Sequence, residues 1–355
     1  MNGCTIIALV LFLIIPLLFS SCAGPQRMDS VPEVEGVVRI ADQVMGDWQG
    51  DWELDNGGDS GSLAAQVIAL GKGQYRAMLF NEFDSRRDPL AVLDGRLDGA
   101  AVNFAGRTIL SDSRTELEIQ AAIKGGEFKG SFKGDEFGSF SMSKVVRLSP
   151  TLRAEPPAGA IVLFDGKNFS QWEQTEKKPS AKSVQWKLVP DGAMEVIRDT
   201  GSIVTKKKFT DFKLHLEFRT PFMPEKRGQA RGNSGVYLQG RYEVQVLDSY
   251  GLEGLDNDCG GIYKVGRPLV NMCAPPLQWQ TYDITFHAPR PDGTGTESKS
   301  ARATVVHNGL TIHDDLELPK PTGGALDSNI TEPGGIYLQD HGNPVQFRNI
   351  WLVEL

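Results

Sequence analysis

Short apolar segments with period-two alternation dominate the chain, and turn residues separate them. In the first region the turns carry Gly or Asp-Gly pairs, such as Asp94-Gly95 and Asp98-Gly99. This pattern predicts antiparallel strands, and a meander or small β-barrel over residues 41–149 that serves as an accessory domain. Its strand candidates are Ala65–Leu70, Gln74–Phe80, Ala91–Leu97, Ala101–Phe104, Glu116–Ile123, Glu127–Phe132 and Ser139–Leu148.

A stiff stretch at residues 150–159, with Pro156-Pro157, predicts a linker to a second domain over residues 160–355. Few helical patterns occur there, so the fold class is all-β, with two stacked antiparallel sheets in a jelly-roll-like sandwich. The strand candidates are Ile161–Phe164, Trp186–Val189, Ala193–Val196, Phe212–Arg219, Ser234–Gln239, Tyr242–Leu247, Tyr282–His287, Arg302–His307, Gly335–Gln339 and Val345–Leu352.

The chain opens with an export pattern. An apolar run from Ile6 to Phe19 is too short for a comfortable membrane span, and Ser20-Ser21-Cys22 after it resembles a bacterial lipobox. Residues 1–21 are therefore predicted to be a signal peptide, Cys22 to carry lipid, and residues 22–40 to be a tether to a membrane. A plain signal peptide or an uncleaved anchor is the alternative. The expected location is the periplasm or the cell surface.

The net charge and the cysteine count agree with an exported lipoprotein. The net charge of −8 comes without a basic footprint, so no nucleic-acid partner is expected. With Cys4 in the signal and Cys22 lipidated, Cys259 and Cys273 remain. In an oxidising compartment they can close a disulfide contributing about 3 kcal/mol in the chain-entropy model, or they stay free thiols; the sequence leaves both open.

Several blocks of the second domain occur in the order typical of one family. They are Leu163–Phe169 followed by Trp172, Phe212–Arg219, Gly232–Tyr237, Tyr242–Asp248, Gly260–Tyr263, Pro333–Gly342 and Phe347–Ile350. Together they resemble the 3-keto-disaccharide hydrolase family over residues 160–355. The resemblance implies a concanavalin-like jelly roll that acts on sugars oxidised to a ketone at C3.

Strand alternation separates polar from apolar side chains in this domain. In Tyr242–Asp248, Glu243 and Gln245 point away from the apolar Tyr242, Val244 and Val246. The same rule sets Tyr337, Gln339 and His341 opposite Ile336 and Leu338, and sets His215, Glu217 and Arg219 opposite Leu214, Leu216 and Phe218. Polar stripes of this kind favour a sugar-binding sheet, although solvent-facing sheets also alternate.

These stripes give a candidate site. Catalytic roles are assigned to Glu243 or His341 as general base and Asp248 as acid. Substrate binding is assigned to Asn233, Gln245, Gln339, Tyr263, Tyr337, Arg219 and Arg348. Arg348 has an alternative as the buried partner of Glu217. No cofactor is assigned, but a divalent cation could sit among Glu243, Asp248 and His341.

A ketone at C3 acidifies the hydrogen on C2, so a base can start an elimination that expels the C1 substituent, and water can add later. The expected function is an exported glycoside-cleaving enzyme with a carbohydrate substrate. Direct hydrolysis by two carboxylates is a second route. Two non-enzymatic alternatives are a carbohydrate-binding lipoprotein on the same sandwich and a surface adhesion protein.

Overall fold

The computed structural model describes residues 26–27, 42–86, 88–109, 116–175, 183–291 and 298–355. The signal segment, Cys22 and nearly all of the tether lie outside the described residues. Within them, strands and loops account for the whole fold, apart from one 3-10 turn at Gly228–Ala230. The all-β prediction is confirmed. None of the described residues form a helix long and apolar enough to cross a membrane.

The first domain is a closed antiparallel barrel. Its strands are β1 (Gln26–Arg27), β2 (Gly46–Leu54), β3 (Ser60–Gly71), β4 (Gln74–Phe80), β5 (Ala91–Asp98), β6 (Ala101–Ile109), β7 (Glu116–Lys124), β8 (Glu127–Lys133) and β9 (Phe137–Val146). Strands β2 to β9 pair in chain order, and β9 also pairs with β2, which closes the ring. Strand β1 adds to the end of β9.

Aromatic rings fill the inside of the barrel. Phe128 is fully buried, and its ring centroid lies 5.8 Å from Trp48, 5.2 Å from Phe104 and 5.7 Å from Phe140. Such pairs contribute about 0.5–1.5 kcal/mol each beyond the burial of their area. The interior of this barrel is therefore a packed core.

The second domain is a sandwich of two antiparallel sheets. Its strands are β10 (Ile161–Phe164), β11 (Trp172–Gln174), β12 (Lys187–Val189), β13 (Ala193–Glu195), β14 (Ile203–Thr205), β15 (Phe212–Arg219), β16 (Ser234–Leu238), β17 (Tyr242–Val246), β18 (Gln280–His287), β19 (Arg290–Pro291), β20 (Ser298–Lys299), β21 (Ala301–His307), β22 (Leu310–Leu318), β23 (Tyr337–Leu338) and β24 (Gln346–Glu354).

The larger sheet has the order β12-β13-β24-β15-β18-β21-β22, with β10 also on β24, and the smaller sheet has the order β11-β14-β23-β16-β17. Strands β19 and β20 form a separate ribbon. The core lies between the two sheets, where Tyr242 of the smaller sheet packs on Phe286 of the larger one with centroids 5.6 Å apart. The jelly-roll-like sandwich predicted from the sequence is confirmed in its layers.

Most strand candidates from the sequence lie within a few residues of the observed strands. Strands β2, β11, β14 and β22 were not among the predicted segments, and the short β23 covers only Tyr337–Leu338 of the longer segment predicted there. Gly335 and Gln339 therefore lie outside regular strand. This difference affects the site, because alternation holds only inside a strand.

The linker packs against the outer face of the larger sheet. Ser149 Oγ lies 2.6 Å from Thr281 Oγ1, the Arg153 amide donates to Glu217, and Asn349 Nδ2 donates to the Ala154 carbonyl at 3.0 Å. The polar stripe of β15 is therefore covered by chain rather than exposed to solvent.

Candidate active site

The β16–β17 hairpin builds the centre of the site. Its register sets Tyr237 opposite Glu243 and Gly235 opposite Gln245. Because directly paired residues share a face of the sheet, these four lie together on the side away from the core. We call this side of the smaller sheet the site face. The alternation predicted for Glu243 and Gln245 is what the structure has.

Strand β23 and the residue after it add two more side chains to the site face. Tyr337 pairs with Tyr237, and the two rings meet edge to face with centroids 4.8 Å apart. Gln339 follows the strand end, but its amide donates to the Gly235 carbonyl at 3.0 Å and its Nε2 donates to the Tyr237 hydroxyl at 3.1 Å. The structure thus brings Glu243, Gln245, Tyr337 and Gln339 together around Tyr237.

Two loops cover the free edge of β17 and form the rim. The Glu243 amide donates to Thr322 Oγ1 at 2.9 Å, and the Gln245 amide donates to the Gly261 carbonyl at 2.9 Å. The first loop continues to Gly323, whose carbonyl accepts from the Tyr237 hydroxyl at 2.9 Å. The second loop carries Tyr263, which packs beside Gly323 and is 38% exposed. Tyr263 therefore stands at the rim of the site.

The Glu243 carboxyl is buried in this setting. The residue is 6% exposed, and burial raises its pKa to about 7, although the neighbouring Tyr237 hydroxyl acts in the opposite direction. Gly235 makes room for it, because a Cβ at that position would lie 2.3 Å from Glu243 Oε1. A carboxyl with a pKa near neutrality can both accept and return a proton at working pH.

Three carboxamide oxygens near the site have no hydrogen-bond donor among the described residues. They are buried and belong to Asn233, Gln245 and Gln339. Asn233 directly precedes β16, and its Nδ2 is already held by the Gln229 carbonyl at 3.0 Å. A buried acceptor without a donor costs about 1–3 kcal/mol. Hydroxyl groups of a bound molecule would remove that cost.

Asp248 and His341 were both assigned catalytic roles from the sequence, and among the described residues no hydrogen bond or ion pair joins either of them to Glu243. Asp248 comes after the end of β17, and its Oδ2 accepts from Arg231 Nε at 2.6 Å in an ion pair sealed from solvent. Burial raises the pKa of Asp248, and Arg231 acts against this shift. His341 lies three residues past the end of β23, and its side chain is exposed.

Arg219 and Arg348 belong to the opposite side of the sandwich. Both lie on the outer face of the larger sheet, where their guanidinium carbons stand 4.5 and 4.0 Å from the Trp279 ring centroid. Arg219 pairs with Asp191 at 2.6 Å, and Arg348 pairs with Glu217 at 2.6 Å. The sandwich core separates them from Glu243, so the structure does not bring them to the site. Arg348 takes the alternative role of partner to Glu217.

The two cysteines noted in the sequence do not belong to the site around Glu243. Cys259 and Cys273 are buried free thiols; Cys259 Sγ lies 3.3 Å from the Tyr282 hydroxyl and Cys273 Sγ lies 3.4 Å from the Leu247 carbonyl. Their disulfide stays a prediction.

The sequence also allowed a cation site. Within the described ranges, no three His, Cys, Asp or Glu side chains are grouped so that they could hold a metal ion. Glu243, Asp248 and His341 do not form one ligand set.

Sequence reasoning missed Tyr237 and Thr322. Tyr237 was visible in principle, because counting back across the Gln239-Gly240-Arg241 turn pairs it with Glu243. Thr322 carries no such signal, since it comes from a loop distant in sequence that happens to lie along β17.

Comparison with known proteins gives consistent matches for the second domain. Residues 159–353 match the family described as 3-keto-alpha-glucoside-1,2-lyase-like domain. The 3-keto-disaccharide hydrolase of Bacteroides thetaiotaomicron is 27% identical over 237 residues, which cover 54% of this chain and 77% of that protein. A crystal structure described as a glycosyl hydrolase of Parabacteroides distasonis is 37% identical, covers 56% of this chain and 85% of its own, and has a TM-score of 0.50.

Proposed function

Because the chain belongs to the 3-keto-alpha-glucoside-1,2-lyase-like family, we propose that its site cleaves glycosides whose sugar carries a ketone at C3. The chain is a glycosidase-like hydrolase by its family and relatives. The observation that carries the proposed chemistry is Glu243, a buried carboxyl with a pKa of about 7 on a face rich in hydrogen-bonding groups.

Glu243 is the general base of the first step. The ketone withdraws electrons from C2, so the Glu243 carboxylate removes the C2 hydrogen as a proton and leaves an enolate. When the enolate collapses, the C3 ketone reforms, a C1–C2 double bond forms, and the C1–O bond breaks with its electron pair on the leaving oxygen. The proton held by Glu243 then passes to that oxygen, which assigns both proton transfers to one carboxyl.

Hydration completes the reaction. Water adds across the C1–C2 double bond, with its hydroxyl at C1 and a proton at C2, so that elimination and hydration together amount to hydrolysis of the glycoside. The unpaired oxygens of Asn233, Gln245 and Gln339 accept hydrogen bonds from sugar hydroxyls during this sequence. Tyr263 at the rim supports the apolar face of the ring.

A substrate panel tests this proposal. Purified full-length mature protein is incubated with matched native and 3-keto disaccharides, and the released monosaccharide is measured. We expect release from the keto sugars alone, and loss of about 10²–10⁴ in kcat for Glu243→Gln, since that is what a general base contributes. The matched control Glu317→Gln changes an exposed glutamate of the larger sheet and should keep the wild-type rate.

Three outcomes oppose the proposal. A wild-type kcat in Glu243→Gln would show that Glu243 is not the general base. Cleavage of native and keto sugars at equal rates would show that the reaction does not need a ketone at C3. Binding of the keto sugar without any product leaves a carbohydrate-binding module in place of the enzyme.

We also propose that the protein is exported and lipid-anchored. The support is the apolar run Ile6 to Phe19 followed by Ser20-Ser21-Cys22, which resembles a lipobox.

A further inference from the structure

The barrel docks on the loops of the sandwich that flank the site. Tyr250, two residues after Asp248, donates its hydroxyl to Asp47 Oδ1 of β2 at 2.6 Å. Asp47 also pairs with Arg147 at 2.8 Å, and Tyr250 and Asp47 are 1% and 4% exposed. A buried, charge-assisted contact of this kind holds two surfaces in one fixed relation.

Arg231 makes a second connection across the same junction. Its Nε donates to Asp248 Oδ2 at 2.6 Å, and its Nη1 reaches the Ala69 carbonyl near the end of β3 at 3.4 Å. Next to it, Arg227 Nη2 donates to the Leu70 carbonyl at 2.7 Å. The end of the barrel strand therefore closes over a buried ion pair of the sandwich.

The backbone from Arg231 to Asn233 has little conformational freedom. Gly232 has φ of +64°, and a Cβ there would lie 3.1 Å from Thr220 and 3.2 Å from Asp248, so the backbone is wedged between them. Asn233 then donates its amide to Asn343 Oδ1 at 2.8 Å and its Nδ2 to Gln229. Its Oδ1 is the buried oxygen without a donor among the described residues.

We infer that Arg231 is a positioning residue through which the docked barrel fixes the Asn233 carboxamide for a substrate hydroxyl. This inference rests on the proposed function, in which Asn233 accepts from the sugar. The role of the barrel is then to support the substrate site. Its own interior is a packed core.

A double-mutant cycle tests the inference on full-length protein with a 3-keto disaccharide. We expect Arg231→Met and Asn233→Ala each to raise KM about tenfold, the equivalent of one lost hydrogen bond, with kcat within a few-fold of wild type. The double variant should raise KM no further than the larger single effect, because both changes disable the same group. Arg231→Lys, which keeps the charge, should recover part of the loss.

A milder variant guards against loss of folding. Tyr250→Phe removes one hydroxyl at the junction and leaves the Arg231–Asp248 pair in place, and it should raise KM in the same direction. Hydrogen–deuterium exchange of residues 228–234 supplies a readout that needs no turnover, and exchange there should increase in Arg231→Met and in Tyr250→Phe.

The outcomes separate the inference from the proposed function. A wild-type protein without activity on any keto sugar ends the proposed function, while the exchange data still decide whether the barrel holds this segment. Unchanged exchange in both variants overturns the inference. So do KM effects of Arg231→Met and Asn233→Ala that multiply in the double variant.

Discussion

Glu243 and Glu217 are both buried glutamates, but their pKa values move in opposite directions. Burial acts to raise both, and for Glu243 it prevails, so the pKa is about 7. At Glu217 the nearby His215 and the Arg348 charge outweigh burial and bring the pKa to about 2. The nearby charges, rather than depth alone, make Glu243 a base and Glu217 a permanent anion.

The rate should therefore depend on pH through Glu243. The carboxylate is the active form, so kcat/KM should rise with pH through about 7 and then level off. Tyr237→Phe removes a hydroxyl that favours the charged form of Glu243, so the inflection of this variant should lie at higher pH. Initial rates across the neutral range measure both curves. An inflection in the usual glutamate range, near 4.3, would contradict this assignment.

Gly235 should be required for activity more than for stability. An alanine Cβ would lie 2.3 Å from Glu243 Oε1 and 3.0 Å from Tyr237 Cε2, so the carboxyl would have to shift. Gly235→Ala should thus lower kcat at least tenfold, with a smaller effect on thermal unfolding. The control Gly61→Ala crowds the Trp52 ring in the barrel, with 2.9 Å to Nε1, and should leave kcat unchanged. Wild-type kcat in Gly235→Ala would argue against a fixed carboxylate.

At the scale of the strands, alternation predicted side-chain direction wherever the strand continued. On β17 it placed Glu243 and Gln245 correctly against Val244 and Val246. It also placed Gln339 correctly, one residue past the end of β23, but it gave no direction for Asp248, which follows the end of β17 and lies in a buried ion pair with Arg231. Strand ends depend on hydrogen bonds to distant segments, which the local pattern does not contain.

The polar stripe of β15 shows a second limit. His215, Glu217 and Arg219 do share a face, as alternation requires, but the linker covers it. A sequence pattern identifies which residues share a face and does not identify what packs on that face. Neither alternation nor the family resemblance told the two polar faces apart, since Arg219 and Arg348 of the larger sheet were also assigned to substrate binding.

Arg348 should act on stability because it neutralises a buried charge. Arg348→Met leaves Glu217 without its guanidinium, and removal of one partner of a buried pair costs about 3–5 kcal/mol. Chemical denaturation of the two proteins measures the loss. Since Arg348 is remote from Glu243, KM of the folded variant should match wild type. A raised KM with unchanged stability would return Arg348 to the substrate site.

At the scale of the whole molecule, the sandwich carries the candidate site and the barrel docks on the loops that flank it. Aromatic rings fill the interior of the barrel. Its polar groups at the junction with the sandwich are Asp47, Arg147 and the carbonyls of Ala69 and Leu70.

Anchoring to a membrane belongs to the same scale. In a bacterial host fed a labelled fatty acid, the wild-type chain should take up label and sediment with membranes. Cys22→Ala should lose the label, whereas Cys4→Ala should retain it because that residue leaves with the signal peptide. Label retained in Cys22→Ala would point to another anchor.

The central claim is that Glu243 takes the hydrogen from C2, and an isotope effect measures that step directly. A 3-keto disaccharide with deuterium at C2 is compared with its protium form in kcat/KM, and a C1-deuterated substrate is the control. We predict that the C2-deuterated sugar reacts more slowly by a primary isotope effect. Equal rates for the C2 isotopologues, with cleavage intact, would contradict the account and favour direct displacement at C1.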